Sequence, residues 1–185
     1  MAVTVAKKRY TIDDLWELSH RTGKRYELVK GELRELTPTG LEHGWIEVNL
    51  ASLLRAHVRQ HSLGVVVSGE AGFIVGEDTV RAADVAFISK DKIPQAGLPQ
   101  RFGEIPPDLV AEILSPSDTF PSVSEKLQEW LLAGVRVVWV IDPQTRQVSV
   151  HRAGQPVRIL NENDTLSGEE VLPGFACKVS EIFAL

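Results

Sequence analysis

Two apolar runs, 108–114 (Asp-Leu-Val-Ala-Glu-Ile-Leu) and 135–141 (Val-Arg-Val-Val-Trp-Val-Ile), flank a helix-length segment. Both runs read as strands. The segment between them carries a stripe of Val123, Leu127, Trp130 and Leu131 at helical spacing over 122–133, with Gly134 as its stop. Strand, helix and strand in that order close as a right-handed parallel crossover. The chain is thereby committed to an α/β core, and one residue in it is out of place. Glu112 stands in the middle of the first strand, where a lone ionised carboxylate costs several kcal/mol, roughly, unless a cation or donor set compensates it.

A second strand-like stretch, Ala82-Ala83-Asp84-Val85-Ala86-Phe87-Ile88, repeats the anomaly at Asp84. Upstream, Thr11 is placed to cap a short helix over 12–19, and 25–30 with 32–36 form a hairpin about Gly31. Helical spacing recurs over 41–61, followed by strands over 64–68, 71–75 and 79–88. A proline-bearing loop over 89–107 is long enough to suggest a binding or lid segment. The tail reads as a hairpin (147–152 and 157–160) and a final segment over 171–183. The economical architecture is an α/β core with an antiparallel portion, an α+β mixed sheet.

At 185 residues the chain suits one domain over 1–185, with its core at about 41–142. The single cysteine, Cys177, has no internal partner for a disulfide, which fits a reducing cytoplasm. The charges of Lys7-Lys8-Arg9 follow a very short apolar patch, an order wrong for a signal peptide, and no run is long enough to span a bilayer. The net charge of −5 argues against a non-specific nucleic-acid coat. It leaves room for an enzyme whose cations line one cleft.

If the Asp84 and Glu112 strands are neighbours, with backbones about 4.8 Å apart, their carboxylates can share one ion. Mg²⁺ (or Mn²⁺) suits such a pair, since it takes one or two carboxylates and keeps waters and phosphate oxygens for the rest. Lys126 lies at the edge of the buried stripe, three residues after Val123 and four before Trp130. Its stem can follow the apolar face and bring the ammonium to Glu112. Two carboxylates and an amine at one point suit metal-assisted phosphodiester cleavage. The same charges also fit structural ion pairs, Asp84 with Arg81 or Arg101 and Glu112 with Lys126.

The order Arg-Ala-Ala-Asp-Val-Ala-Phe-Ile (81–88), Pro-Asp-Leu-Val-Ala-Glu-Ile-Leu-Ser-Pro-Ser-Asp (107–118), Glu-Lys (125–126), Ala-Gly-Val (133–135) and Val-Trp-Val-Ile-Asp-Pro (138–143) resembles the Uma-two family. That family belongs to the PD-(D/E)xK restriction-endonuclease-like superfamily. The resemblance runs from about Tyr26-Glu27-Leu28 through Leu172-Pro173-Gly174-Phe175. It implies a restriction-endonuclease-like αβββαβ core, with an N-terminal helix and hairpin and a C-terminal hairpin as additions. It further implies a Mg²⁺-dependent endonuclease acting on DNA, with Asp84 and Glu112 as metal ligands and Asp84, Glu112 and Lys126 as catalytic residues.

Two departures from the superfamily pattern stand out: Ala83 where a proline would precede the aspartate, and Leu114 where the lysine of a plain ExK would stand. Lys126, on the following helix, matches the family's displaced lysine. Glu32 and His43 match further positions of the family pattern and are accessory candidates.

A homodimer is expected from fold analogy, because two strands are cut by symmetric pairs. Arg55, Arg59 and the Lys7-Lys8-Arg9 tail are candidate phosphate contacts. His57 and His61, four apart on a helix, read as solvated rather than metal-binding. The reading from another class is a catalytically inactive nucleic-acid-binding or protein-interaction module on the same fold, its charges forming structural pairs.

Overall fold

The computed structural model describes residues 8–69 and 71–185; Lys7, grouped above with the basic tail, lies outside them. Thr11 caps α1 (Ile12–Thr22) through the Asp14 amide, and the Asp14 carboxylate returns to the Thr11 amide in a capping box. The hairpin β1 (Tyr26–Val29) and β2 (Glu32–Glu35) turns at Lys30-Gly31, where both residues have positive φ. Helix α2 (Leu41–Gln60) follows, burying Ile46, Leu50, Leu54 and Val58 four residues apart on one stripe. Burying each such side chain is worth roughly 1.5–3 kcal/mol.

Next come β3 (Gly64–Ser68), β4 (Gly72–Gly76), β5 (Thr79–Ala82), β6 (Val85–Ser89), a single 3₁₀ turn and β7 (Leu109–Ile113). Helix α3 (Phe120–Leu132) is capped by Thr119, two residues earlier than the apolar stripe alone indicates. The remainder is β8 (Val137–Asp142), β9 (Gln147–His151), β10 (Arg158–Leu160), β11 (Thr165–Ser167), β12 (Ala176–Lys178) and α4 (Val179–Ile182). The segment over 171–183 is thus a strand and a helical turn, and its partner β11 has too few apolar residues to be seen in the sequence.

Six strands form the central sheet in the order β10-β9-β8-β7-β6-β3. β7 and β8 are parallel, joined through α3, and the other pairs are antiparallel. One face packs Val85, Phe87, Leu109, Ala111, Ile113 and Trp139 against α2 and the C-terminal segment. The other packs Ala86, Val110, Val138 and Val140 against Trp130 of α3. Glu112 falls on this second face, between Val110 and Leu114, by the two-residue alternation of a strand.

The structure departs from the sequence reading most usefully at 79–88. That stretch is two strands in two sheets. β5 belongs to a four-stranded sheet, β2-β1-β5-β4, whereas β6 pairs with β3 and β7. The chain changes sheet at Ala83-Asp84, so Asp84 stands on a bend and not in a regular strand. The 89–107 loop is strapped to β4 by Ile74 N–H to Gly103 O (2.8 Å) and Gly103 N–H to Gly72 O (2.9 Å). Among the described residues no helix is long and apolar enough to cross a membrane.

Candidate active site

The sheet switch determines the site. β6 and β7 pair through Val85↔Ala111, and one further step along the ladder brings Asp84 level with Glu112. In place of that pair, Asp84 Oδ2 accepts the Ile113 amide at 2.7 Å, so its carboxylate closes the ladder where the backbone leaves it. On the β5 side of the bend, the Ala82 amide donates to Glu27 Oε1 (3.0 Å) and the Ala82 carbonyl accepts from Lys126 Nζ (2.9 Å). Charged side chains satisfy the backbone at the junction, which a sheet interior would otherwise leave unpaired.

Lys126 projects from α3 along Trp130 to the sheet. Its Nζ lies 2.8 Å from Glu112 Oε2 and 3.5 Å from Glu27 Oε1. The second oxygen of Glu112 accepts the Trp130 indole N–H at 2.7 Å. From α2, His43 Nε2 stands 3.3 Å from Asp84 Oδ1, within ion-pair range but off the line of a hydrogen bond. Both ring nitrogens of His43 are buried without a hydrogen-bond partner among the described residues.

The electrostatics divide these groups. Burial pushes the Glu112 carboxyl up to about 7, against the Lys126 charge and with the neighbouring Asp84 charge adding to the rise. Burial also opposes ionisation of Asp84, but His43, Lys126 and the Ile113 amide hold its carboxyl below the ordinary aspartate value. Burial would discharge Lys126, yet Glu112, Glu27 and Asp84 together hold its ammonium firmly protonated. The Asp84 carboxylate raises His43 above the ordinary histidine value despite its burial. The cluster carries an excess of negative charge, and Glu112 bears the consequence.

The structure brings Asp84, Glu112, Lys126 and His43 together. Glu32 lies on the exposed strand β2, opposite Val29. Arg81 and Arg101 do not pair with Asp84: Arg81 holds Glu27 (2.6 Å) and Glu129 (2.7 Å), and Arg101 holds Asp13. The Glu112–Lys126 pairing is present. Of the histidines, His57 is partly buried rather than solvated; its Nε2 meets the Pro173 carbonyl at 2.9 Å and its ring packs edge-on against Phe175.

Two acidic residues of the cluster escape a sequence reading. Glu27 is a buried charge in a four-residue strand, and only its alternation with Leu28 and Val29 could have marked it. Glu47 lies one helical turn after His43. Burial and then the Asp84 charge raise its carboxyl, and a Cβ at Gly69 would come within 2.8 Å of its Oε1. The spacing of four from His43 was the available signal.

The donor set fits a hard divalent cation. Among the described residues no group of three or more His, Cys, Asp and Glu forms a metal cage. Mg²⁺ needs no such cage, since it keeps most of its waters and binds through one or two carboxylates. A carboxyl held near 7 by burial beside an ionised aspartate is a charge deficit that a cation at this point would relieve. Asp84 and Glu112 are the residues that could hold it, Glu112 on exchanging a contact with Lys126 or Trp130 for the ion.

The sequence matches the Uma2 family, described as "Putative restriction endonuclease", over residues 12–180. The fold is similar to the crystal structure of "a putative nuclease belonging to DUF820" from Anabaena variabilis, with a TM-score of 0.81. The two share 22% sequence identity over 94% of this chain and 97% of that one, a likeness of fold. No curated protein matches the chain. With nearly its whole length matched and the restriction-endonuclease-like core in place, this chain belongs to the Uma2 family.

Proposed function

We propose that the chain is a Mg²⁺- or Mn²⁺-dependent endonuclease that hydrolyses DNA phosphodiester bonds at the β5–β6 junction. The observation that carries this reading is the meeting of Asp84, Glu112 and Lys126 at one sheet break, with Lys126 Nζ 2.8 Å from Glu112. A divalent ion held there supplies charge neutralisation at the phosphate and polarises a water. Asp84, ionised and fixed by the Ile113 amide, and Glu112, fixed by Trp130 and Lys126, present oxygens in one place.

Lys126, held by Glu112 and the Ala82 carbonyl, stands where its ammonium would orient the attacking water beside Glu112. His43 stands 3.3 Å from Asp84 Oδ1, and the Asp84 carboxylate favours its protonated form. The reading includes a cytoplasmic setting, one domain over 1–185, and symmetric pairing of two copies to cut both strands.

One observation favours a non-catalytic module on the same fold: both oxygens of Glu112 are already engaged, as in a structural ion pair. Purified protein incubated with supercoiled plasmid and Mn²⁺ separates the readings. The nuclease nicks the plasmid, and Asp84→Ala abolishes nicking. Equal nicking by both proteins, or none by either, favours the module.

A further inference from the structure

The outer face of α2 and the edge of the central sheet enclose a groove of about 440 Å³. Val48, Ala51, Val66 and Val67 line it together with Arg55, Arg59 and Ser68. β3 is the last strand of its sheet, so its outer backbone edge is open to this groove.

The two arginines differ from most of the others. Arg34, Arg81, Arg101, Arg146, Arg152 and Arg158 each hold a carboxylate. Arg55 and Arg59 are exposed and make no ion pair or hydrogen bond among the described residues. They are one helical turn apart, about 6 Å along the axis, and so present two guanidinium groups on one side of the helix. On a chain of net charge −5, two neighbouring cations left without acids are a local reversal of sign.

The groove also leads to the chemistry. Beyond Ser68 the chain turns at Gly69, whose amide donates to the Asp84 carbonyl (2.7 Å) and against which the Glu47 carboxylate lies. The geometry points to this α2–β3 groove as the track for the backbone of the DNA strand cut at Asp84, with Arg55 and Arg59 as its phosphate contacts. This rests on the nuclease reading for the identity of the substrate. Phosphates follow one another every ~3.4 Å of axis on each strand, so two guanidinium groups at this spacing can engage one strand together. An arginine fork binds phosphate bidentately, and none of the residues lining the groove is acidic, the Glu47 carboxylate standing beyond Ser68 at Gly69.

The test uses Arg55→Ala/Arg59→Ala, both at exposed helix positions that alanine suits. Arg21→Ala, another exposed arginine without an ion pair among the described residues, is the control. Binding of a fluorescein-labelled duplex is followed by anisotropy from low to moderate salt, without divalent ion. The double variant binds roughly tenfold more weakly or worse, and its log K versus log salt slope is shallower by about 2, while Arg21→Ala matches wild type. In plasmid cleavage its KM rises with kcat little changed.

An unchanged slope and KM in the double variant overturns the groove, even if the wild type cleaves DNA. The expected slope change with no cleavage by wild type keeps the groove and sinks the nuclease reading. A wild-type dimer in sedimentation that Arg55→Ala/Arg59→Ala dissolves, with DNA binding unaltered, makes the face a contact between copies and overturns the proposal.

Discussion

Two buried charge clusters lie on either side of Ala82, and they are balanced differently. In the first, Arg81 sits between Glu27 and Glu129, and the Glu27 carboxylate also accepts the Ala82 amide. Burial opposes ionisation of Glu27, but Lys126, Arg81 and that amide hold its carboxyl below the ordinary glutamate value. In the second, Glu112 and Asp84 share one lysine and a neighbouring histidine, and Glu112 is driven up to about 7. The first cluster is the better compensated, since Lys126 also reaches Glu27 (3.5 Å) and Lys30 reaches Glu129 (3.9 Å), and it holds β1, β5 and α3 together. The second is short of positive charge at a place that keeps some access to solvent. Buried charge therefore marks a site only where its compensation is incomplete.

The largest effect expected from this contrast is on stability. Arg81→Ala leaves Glu27 buried without its nearest cation and lowers unfolding free energy by about 3–5 kcal/mol in urea titrations. The loss is the same with or without Mg²⁺. A loss below about 1 kcal/mol would show that the first cluster does not depend on Arg81 for its compensation.

Asp84→Asn and Glu112→Gln address the second cluster. Each lowers cleavage at least ~100-fold, about 2.7 kcal/mol of barrier, while the protein stays folded by circular dichroism. Mg²⁺ raises the wild-type melting temperature through linkage, and neither variant shows the rise. A Glu112→Gln protein that keeps its Mg²⁺ response would remove Glu112 from the metal.

The two clusters also respond oppositely to pH. Glu112 has a raised folded-state pKa, so its contribution favours folding at low pH and is lost as pH rises from the unfolded value of 4.5 through about 7. Glu27 has a lowered one, so its contribution is present above the unfolded value and is lost as pH falls below it. Relative to wild type, Glu112→Gln therefore becomes more stable between pH 4.5 and 8, by an amount on the order of 3 kcal/mol without divalent ion. Glu27→Gln flattens the acid limb instead. Chemical denaturation across that range reads both, and parallel curves for the two variants would contradict the distinction.

Lys126 is the residue the clusters share. Lys126→Met reduces cleavage roughly 10-fold to 100-fold and pushes Glu112 still higher, moving the alkaline rise of the pH–rate profile upward. The smallest change is expected at Glu125→Gln. Lys30 and Arg34 hold the Glu125 carboxyl down at about 2, yet these pairs are solvated, and their loss costs roughly 0–1 kcal/mol. The number of partners matters less than their burial.

The strong periodicities of this chain were legible without coordinates. The apolar runs around Val110 and Val138 and the helix between them each impose one burial pattern, because their side chains alternate with a fixed geometric period. In α2, by contrast, the apolar Leu41, Trp45 and Val48 are exposed, and Ile46 and Leu50 are buried in their place. Asp84, Glu112 and Lys126 could be singled out because a charge inside such a pattern is conspicuous. The same reasoning could not divide 79–88 into two strands. Val80 and Val85 are equally apolar, and the break lies in which sheet each one joins.

His43 could be named only by family pattern, and Glu27 and Glu47 not at all as members of the site. Their convergence on Asp84 and Lys126 depends on how α2 and the β1–β5 sheet pack, at separations of about forty to a hundred residues along the chain. Local sequence thus determined the strongly periodic strands and helices and marked Asp84 and Glu112 as carboxylates set in apolar runs. Tertiary packing alone decided which cations reach them, since electrostatic compensation depends on distances in space that no residue spacing encodes.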